Sequence, residues 1–192
     1  PEVTDVITRL ANHRMPTHRY IDDGTVKFER VDLPQLYCQF LEKKGTLDLK
    51  LIRQFASSDD VAIVVDYVHG STRGRPRAIL GENARLIELR TEDNYLFGGV
   101  APEPTAKNMA GVVEELSKRK ERFKIGVIFD PDGDRIRFAD EKKQISMDQF
   151  GAMALHYLYK ERGLRGVLAK SVATSNFGNA IAEKLGIPIA ET

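Results

Sequence analysis

From about residue 32 onward, unbroken apolar runs alternate with stretches whose apolar positions recur every three or four residues. Leu33, Leu36, Tyr37, Phe40 and Leu41 keep helical spacing after Asp32, a residue suited to capping a helix. Thr46 is expected to open a second short helix with Leu47, Leu51 and Phe55 on one face. Residues 61–65 are continuously apolar, as expected of a strand covered on both faces. Residues 84–90, with Leu86, Ile87 and Leu89, and residues 125–129 read as further strands, and Met109, Val112, Val113 and Leu116 as a helix face between them. Ile136 and Phe138 alternate with polar neighbours, as in an edge or hairpin strand. Ser146 and Gln149 have capping-box spacing and should open a helix that runs through Phe150, Met153, Tyr157 and Leu158 to near Gly163. A strand over residues 167–173, a helix carrying Ile181, Ala182 and Leu185 up to Gly186, and a strand starting over residues 187–190 complete the pattern. The first thirty residues show no sustained period, with residues 13–16 and 22–24 reading as loop and turn.

Such alternation argues for an α/β architecture. The charged turn Asp140, Glu141, Lys142 and Lys143 suggests a boundary near residue 145, between an α/β unit over residues 46–145 and a second unit over 146–192. Residues 1–45 then read as a linker and tail.

Composition narrows the class. A chain of 192 residues with 42% apolar and 30% charged residues is that of an ordinary globular protein, not a disordered one. The net charge of +1 offers no argument for nucleic acid or an anionic membrane as partner. Lys118, Arg119, Lys120 and Arg122 read as a solvated helix end whose cations suit the negative end of the dipole. Cys38 is the single cysteine, so an intrachain disulfide is excluded, which fits a cytoplasmic setting. There is no apolar run of membrane-spanning length and no signal-peptide pattern. The chain starts at Pro1 without a methionine and stops just after an apolar run, so it is expected to be a piece of a longer protein.

The candidate chemistry is concentrated in Asp-Pro-Asp-Gly-Asp-Arg at residues 130–135. Three aspartates at alternate positions after a buried strand can turn their carboxylates to one side. Anions that close repel one another unless a cation lies among them. Hard oxygen donors suit Mg²⁺ or Ca²⁺, and magnesium commonly completes its shell with phosphate and water. An EF-hand would use Asp130, Asp132, Asp134 and Glu141, but its sixth-position glycine is Arg135 and the flanks are strands. A haloacid-dehalogenase-type phosphatase would make Asp130 the nucleophile and Asp132 the acid/base. That family wants threonine or valine at Asp134, and a later acidic pair that this chain lacks. The remaining alternative is a turn of solvated aspartates that holds no cation.

Residues 129–135 resemble the metal loop of the α-D-phosphohexomutase (phosphoglucomutase/phosphomannomutase) superfamily. Asp-Tyr-Val-His-Gly at 66–70, Phe-Gly-Gly-Val-Ala-Pro-Glu-Pro at 97–104, and Thr174 and Ser175 followed by Ile-Ala-Glu-Lys-Leu-Gly at 181–186 and Glu191-Thr192 resemble further landmarks in the family's order. The resemblance covers residues 30–192. It implies a mixed β-sheet flanked by helices (the family's second domain), followed by the truncated start of its third. It also implies that the parent interconverts hexose 1-phosphate and 6-phosphate through a phosphoserine and a bisphosphorylated sugar. On that reading Asp130, Asp132 and Asp134 hold Mg²⁺ with the phosphoserine oxygen, Arg135 contacts phosphate or substrate, and the partners are a glucose or mannose phosphate and the missing domains. The 192 residues contain neither the serine loop of the Thr-x-Ser-His-Asn-Pro kind nor the sugar-selecting Gly-Glu-x-Ser-Gly loop, so the chain alone is expected to be inactive and its sugar preference stays open. His69 and Gly70 read as a tight turn and Pro102 and Pro104 as stiff loop positions. His156 reads as a packed or half-exposed helix residue and not a ligand, Thr174 and Ser175 as cap residues, and Lys170 as structural.

Overall fold

The computed structural model describes residues 2–13, 29–45 and 47–192, which divide into two compact units, Pro1–Asp32 and Leu33–Thr192. In the first, Glu2–His13 is a helix, α1, with Val3, Val6, Ile7 and Leu10 on one exposed stripe. This corrects the expectation of an irregular start, because those four positions do carry a helical period. The loop and turn expected at residues 14–16 and 22–24 lie outside the described residues.

The second unit opens with α2 (Leu33–Lys44) and α3 (Leu49–Ala56). Asp48, not Thr46, caps α3, its side chain accepting from the Leu51 N–H at 2.9 Å. Thr46 lies outside the described residues. The five-stranded sheet is mixed, in the order β2-β1-β3-β4-β5, formed by β1 (Val61–Asp66), β2 (Leu86–Leu89), β3 (Phe123–Phe129), β4 (Ile136–Ala139) and β5 (Gln144–Ile145). β1 pairs in parallel with both β2 and β3, so the chain crosses over twice, through α4 (Arg75–Leu80) and α5 (Ala110–Ser117). β3 turns back into β4 as an antiparallel hairpin, and β5 takes the edge beyond it.

Every residue of β1 is buried because the sheet has a core on each face. Val64 and Ile128 pack with Met109, Val112, Leu116 and Ala139 on the α5 side. Val61, Ile63 and Val65 pack with Ala56, Tyr67 and Ala84 on the other. Burying each such valine, isoleucine or leucine contributes about 1.5–3 kcal/mol, which makes this central pair of strands the rigid base of the molecule.

Ser146 and Gln149 form the reciprocal capping box expected of them, at the start of α6 (Met147–Lys160). After it, β6 (Leu168–Lys170) and β7 (Ile189–Glu191) make a separate two-stranded parallel sheet connected by α7 (Phe177–Leu185). Both strands are shorter than or shifted from the expected ranges, because only these residues find a partner in the ladder. The mixed sheet flanked by helices agrees with the expected fold class.

Candidate metal centre

Parallel pairing of β1 and β3 places Asp66 opposite Ile128, so the loops that leave both strands emerge side by side at one edge of the sheet. That is where a parallel sheet leaves open backbone for a site. The loop after β3 is residues 130–135, closed by the Asp130 N–H donating to the Arg135 carbonyl (3.2 Å) and the Gly133 N–H donating to the Asp130 carbonyl (3.1 Å). Gly133 has φ +80°, and a Cβ there would also overlap Thr72 Cγ2. Both features call for glycine.

The loop after β1 clamps this turn. The Ser71 N–H and hydroxyl both donate to the Pro131 carbonyl, at 2.6 and 3.0 Å. Gly70 has no special φ, yet a Cβ on it would overlap Pro131 Cα and lie 2.5 Å from the Pro131 carbonyl oxygen. Its role is to let two backbones touch. The same region carries Val68 at φ 47°, His69 at φ 59° and Arg90 at φ 49°, conformations costing about 1–3 kcal/mol each in non-glycine residues. They are over-determined by neighbours: the His69 N–H donates to the Arg90 carbonyl (3.1 Å), and the buried His69 ring Nδ1 is 2.9 Å from the Glu92 carbonyl oxygen.

The three aspartates come together. One oxygen from each of Asp130, Asp132 and Asp134 lies within 4.8 Å of the others. Asp130 is fully buried, while Asp132 and Asp134 are exposed. Arg135 turns back on Asp130, its N–H donating to Oδ1 at 3.0 Å and its Nε to Oδ2 at 2.7 Å. Arg135 also pairs with Asp134 at 3.3 Å and, through Nη1, with Glu103.

Burial pushes the Asp130 carboxyl up. The Arg135 N–H, the Arg135 guanidinium and a hydrogen bond shared with Asp134 outweigh burial and hold it below the ordinary carboxylate value. Asp134 moves the other way, raised by that shared hydrogen bond and by repulsion from Asp132. Glu103 first, then Asp130, raise Arg135. Three carboxylates thus share one guanidinium, and Asp132 adds a fourth beside them. An oxygen-only donor set with excess negative charge fits a hard divalent cation such as Mg²⁺.

Reasoning from the sequence missed the counter-ion Glu103, which lies inside the quoted 97–104 segment without a role, and the Gly70–Pro131 contact. Its reading of His69 and Gly70 as a tight turn agrees with the geometry. Lys170 is buried in the second sheet, with Nζ 2.9 Å from Glu191 Oε2 and 3.3 Å from Asn176 Oδ1, a cross-strand pairing that suits the expected structural role. The capping position of α7 is Asn176 and not Thr174 or Ser175: Ser175 accepts from the Phe177 N–H at 3.1 Å from one residue before it, and Thr174 pairs with the Ser171 hydroxyl at 3.2 Å. Lys170, Thr174 and Ser175 also line a cleft of 450 Å³ against α6. His156 is exposed, more so than the packed or half-exposed position expected of it. Among the described residues, no helix is long and apolar enough to cross a membrane.

Comparison with known proteins gives this geometry a lineage. The family model for phosphoglucomutase/phosphomannomutase, alpha/beta/alpha domain II, matches residues 35–143. A phosphoglucomutase/phosphomannomutase of Thermococcus kodakarensis is 29% identical over 132 residues, which cover 68% of this chain and 28% of that protein. A phosphoglucosamine mutase of Bartonella bacilliformis is 26% identical over 161 residues, covering 81% of this chain and 33% of that one. A candidate phosphomannomutase structure from Thermus thermophilus superposes with a TM-score of 0.69 at 26% identity, over 86% of this chain and 37% of that one. A family protein from Burkholderia thailandensis, 18% identical, shares the fold at a TM-score of 0.69 over 99% of this chain and 38% of its own. The chain therefore spans about a third of the length of these relatives. With the family model covering residues 35–143, this chain belongs to the phosphoglucomutase/phosphomannomutase family.

Proposed function

We propose that this chain supplies the metal loop of a phosphohexomutase, an enzyme that interconverts the 1-phosphate and 6-phosphate of glucose or mannose through a phosphoserine and a bisphosphorylated sugar. The observation that carries the reading is the convergence of Asp130, Asp132 and Asp134 within 4.8 Å at the open end of the sheet. These three residues would hold Mg²⁺, which when bound neutralises charge on a transferring phosphoryl group. Burial and the Arg135 bonds fix the Asp130 carboxylate, while exposed Asp132 can turn toward a cation and exposed Asp134 is held by a 3.3 Å contact with Arg135. Arg135 presents its guanidinium from the same turn, and its planar fork suits phosphate oxygens.

In this reading residues 46–145 are the metal-loop unit, residues 146–192 open a further α/β unit, and the donor phosphoserine belongs to another part of the parent. The partners are a hexose phosphate and the other domains of that parent. A phosphatase using Asp130 as nucleophile is disfavoured, because Asp130 is fully buried and both its oxygens accept from Arg135.

Two assays on the same purified chain test this, one for glucose or mannose 1-phosphate to 6-phosphate interconversion and one for phosphate release, each with Mg²⁺. The expected outcome is turnover in neither, with interconversion appearing in the whole parent and falling when Asp132 is changed to Asn. Phosphate release by the chain that disappears in Asp130→Asn would contradict the proposal and favour the phosphatase.

A further inference from the structure

Beside the metal loop is a cleft of 390 Å³ whose polar lining includes Glu103, Thr105, Asp134, Arg135 and Arg137. Arg137 stands on β4, opposite Ile128 of β3 in the ladder, and is half-buried. Four other arginines around this end of the sheet each hold a carboxylate: Arg90 on Asp66, Arg77 on Glu88, Arg73 on Asp93 and Arg135 on Asp130. Arg137 is different. Among the described residues no carboxylate pairs with it and no side-chain hydrogen bond reaches it. The two carboxylates that share its cleft, Glu103 and Asp134, are both engaged by Arg135.

A guanidinium drawn partly out of water without a counter-charge is unfavourable unless an anion meets it. With Glu103 and Asp134 both held by Arg135, an anionic ligand is the partner left to supply that charge. We propose that Arg137 is a phosphate-contacting residue that grips one phosphoryl group of a phosphorylated hexose bound across the aspartate loop. This rests on the phosphohexomutase reading and adds to it a second cationic contact. Arg135 spends its Nε on Asp130 and its Nη1 on Glu103, whereas the whole fork of Arg137 is available for two parallel bonds to phosphate oxygens. The cleft's apolar lining includes Ile136 and Met147, surfaces suited to the C–H faces of a sugar.

The test is titration of glucose 1,6-bisphosphate into the purified chain in the presence of Mg²⁺, followed by calorimetry or ³¹P line broadening, for the unmodified protein, Arg137→Gln and Arg137→Lys. Arg137→Gln should weaken bisphosphate binding about tenfold, with Arg137→Lys between the two, since a lysine keeps the charge but not the fork. Titration of Mg²⁺ alone and the melting temperature should be unchanged in both variants, which separates ligand contact from a role in folding. Equal bisphosphate affinity in all three proteins would overturn the assignment of Arg137. An unmodified chain that takes up Mg²⁺ but no bisphosphate would overturn it too, leaving the metal loop in place. A chain that takes up neither would bring down the mutase reading beneath it.

Discussion

The ends of β1 and β3 lie side by side, each carries a buried aspartate held by an arginine, and yet they are built for different ends. Asp66 is 2% exposed and fully matched. Arg90 donates to it through Nε and Nη2 at 2.7–3.0 Å, and the Val68 N–H adds a bond of 2.9 Å. One buried anion meets one cation, and nothing is left over. At Asp130 the guanidinium of Arg135 is shared with Asp134 and Glu103, and Asp132 brings a further carboxylate within 4.8 Å of the other two aspartates. A buried aspartate–arginine pair is thus a structural device. The surplus of carboxylates around one of them is what marks a cation site.

The contrast is broken most severely by removing Asp66. Asp66→Ala would strand Arg90 and leave the buried Val68 N–H unpaired, a loss of about 3 kcal/mol measured by denaturant unfolding, with or without Mg²⁺. Gly70→Ala should cost about 1–3 kcal/mol, because its Cβ would overlap Pro131. It should also weaken Mg²⁺ binding, since the displaced backbone is that of the aspartate loop. Unchanged metal affinity in that variant would show the two ends to be independent. Asp132→Asn should change stability by less than about 0.5 kcal/mol in the metal-free protein, as exposed substitutions usually do, while reducing Mg²⁺ uptake. An Asp132→Asn variant that is markedly less stable without metal would turn the aspartate loop into a second structural pair.

What was legible in the sequence follows from where the forces are local. Residues 61–65 announce a buried strand because both faces of the sheet are covered, so no polar residue interrupts the run. The capping box at Ser146 and Gln149 is likewise a contact over three residues. α4 was missed because its six residues carry two arginines and a proline. Its arginine Arg77 is tied to Glu88, and its Ile79 carbonyl accepts from Arg53 Nε, contacts made at long range. The aspartate triad was visible from spacing alone. The clamp on it was not, because Ser71 meets Pro131 across 60 residues only after β1 and β3 have paired. Glu103 reaches Arg135 by the same logic.

The central claim is that the excess charge at the end of β3 is there to hold a divalent cation. Calorimetric titration of Mg²⁺ into the unmodified chain, Asp132→Asn and Asp134→Asn tests it most directly. The account predicts weak binding by the unmodified chain and weaker binding by each variant, because each loses one anionic ligand while retaining its fold. Identical affinity in all three proteins would contradict it.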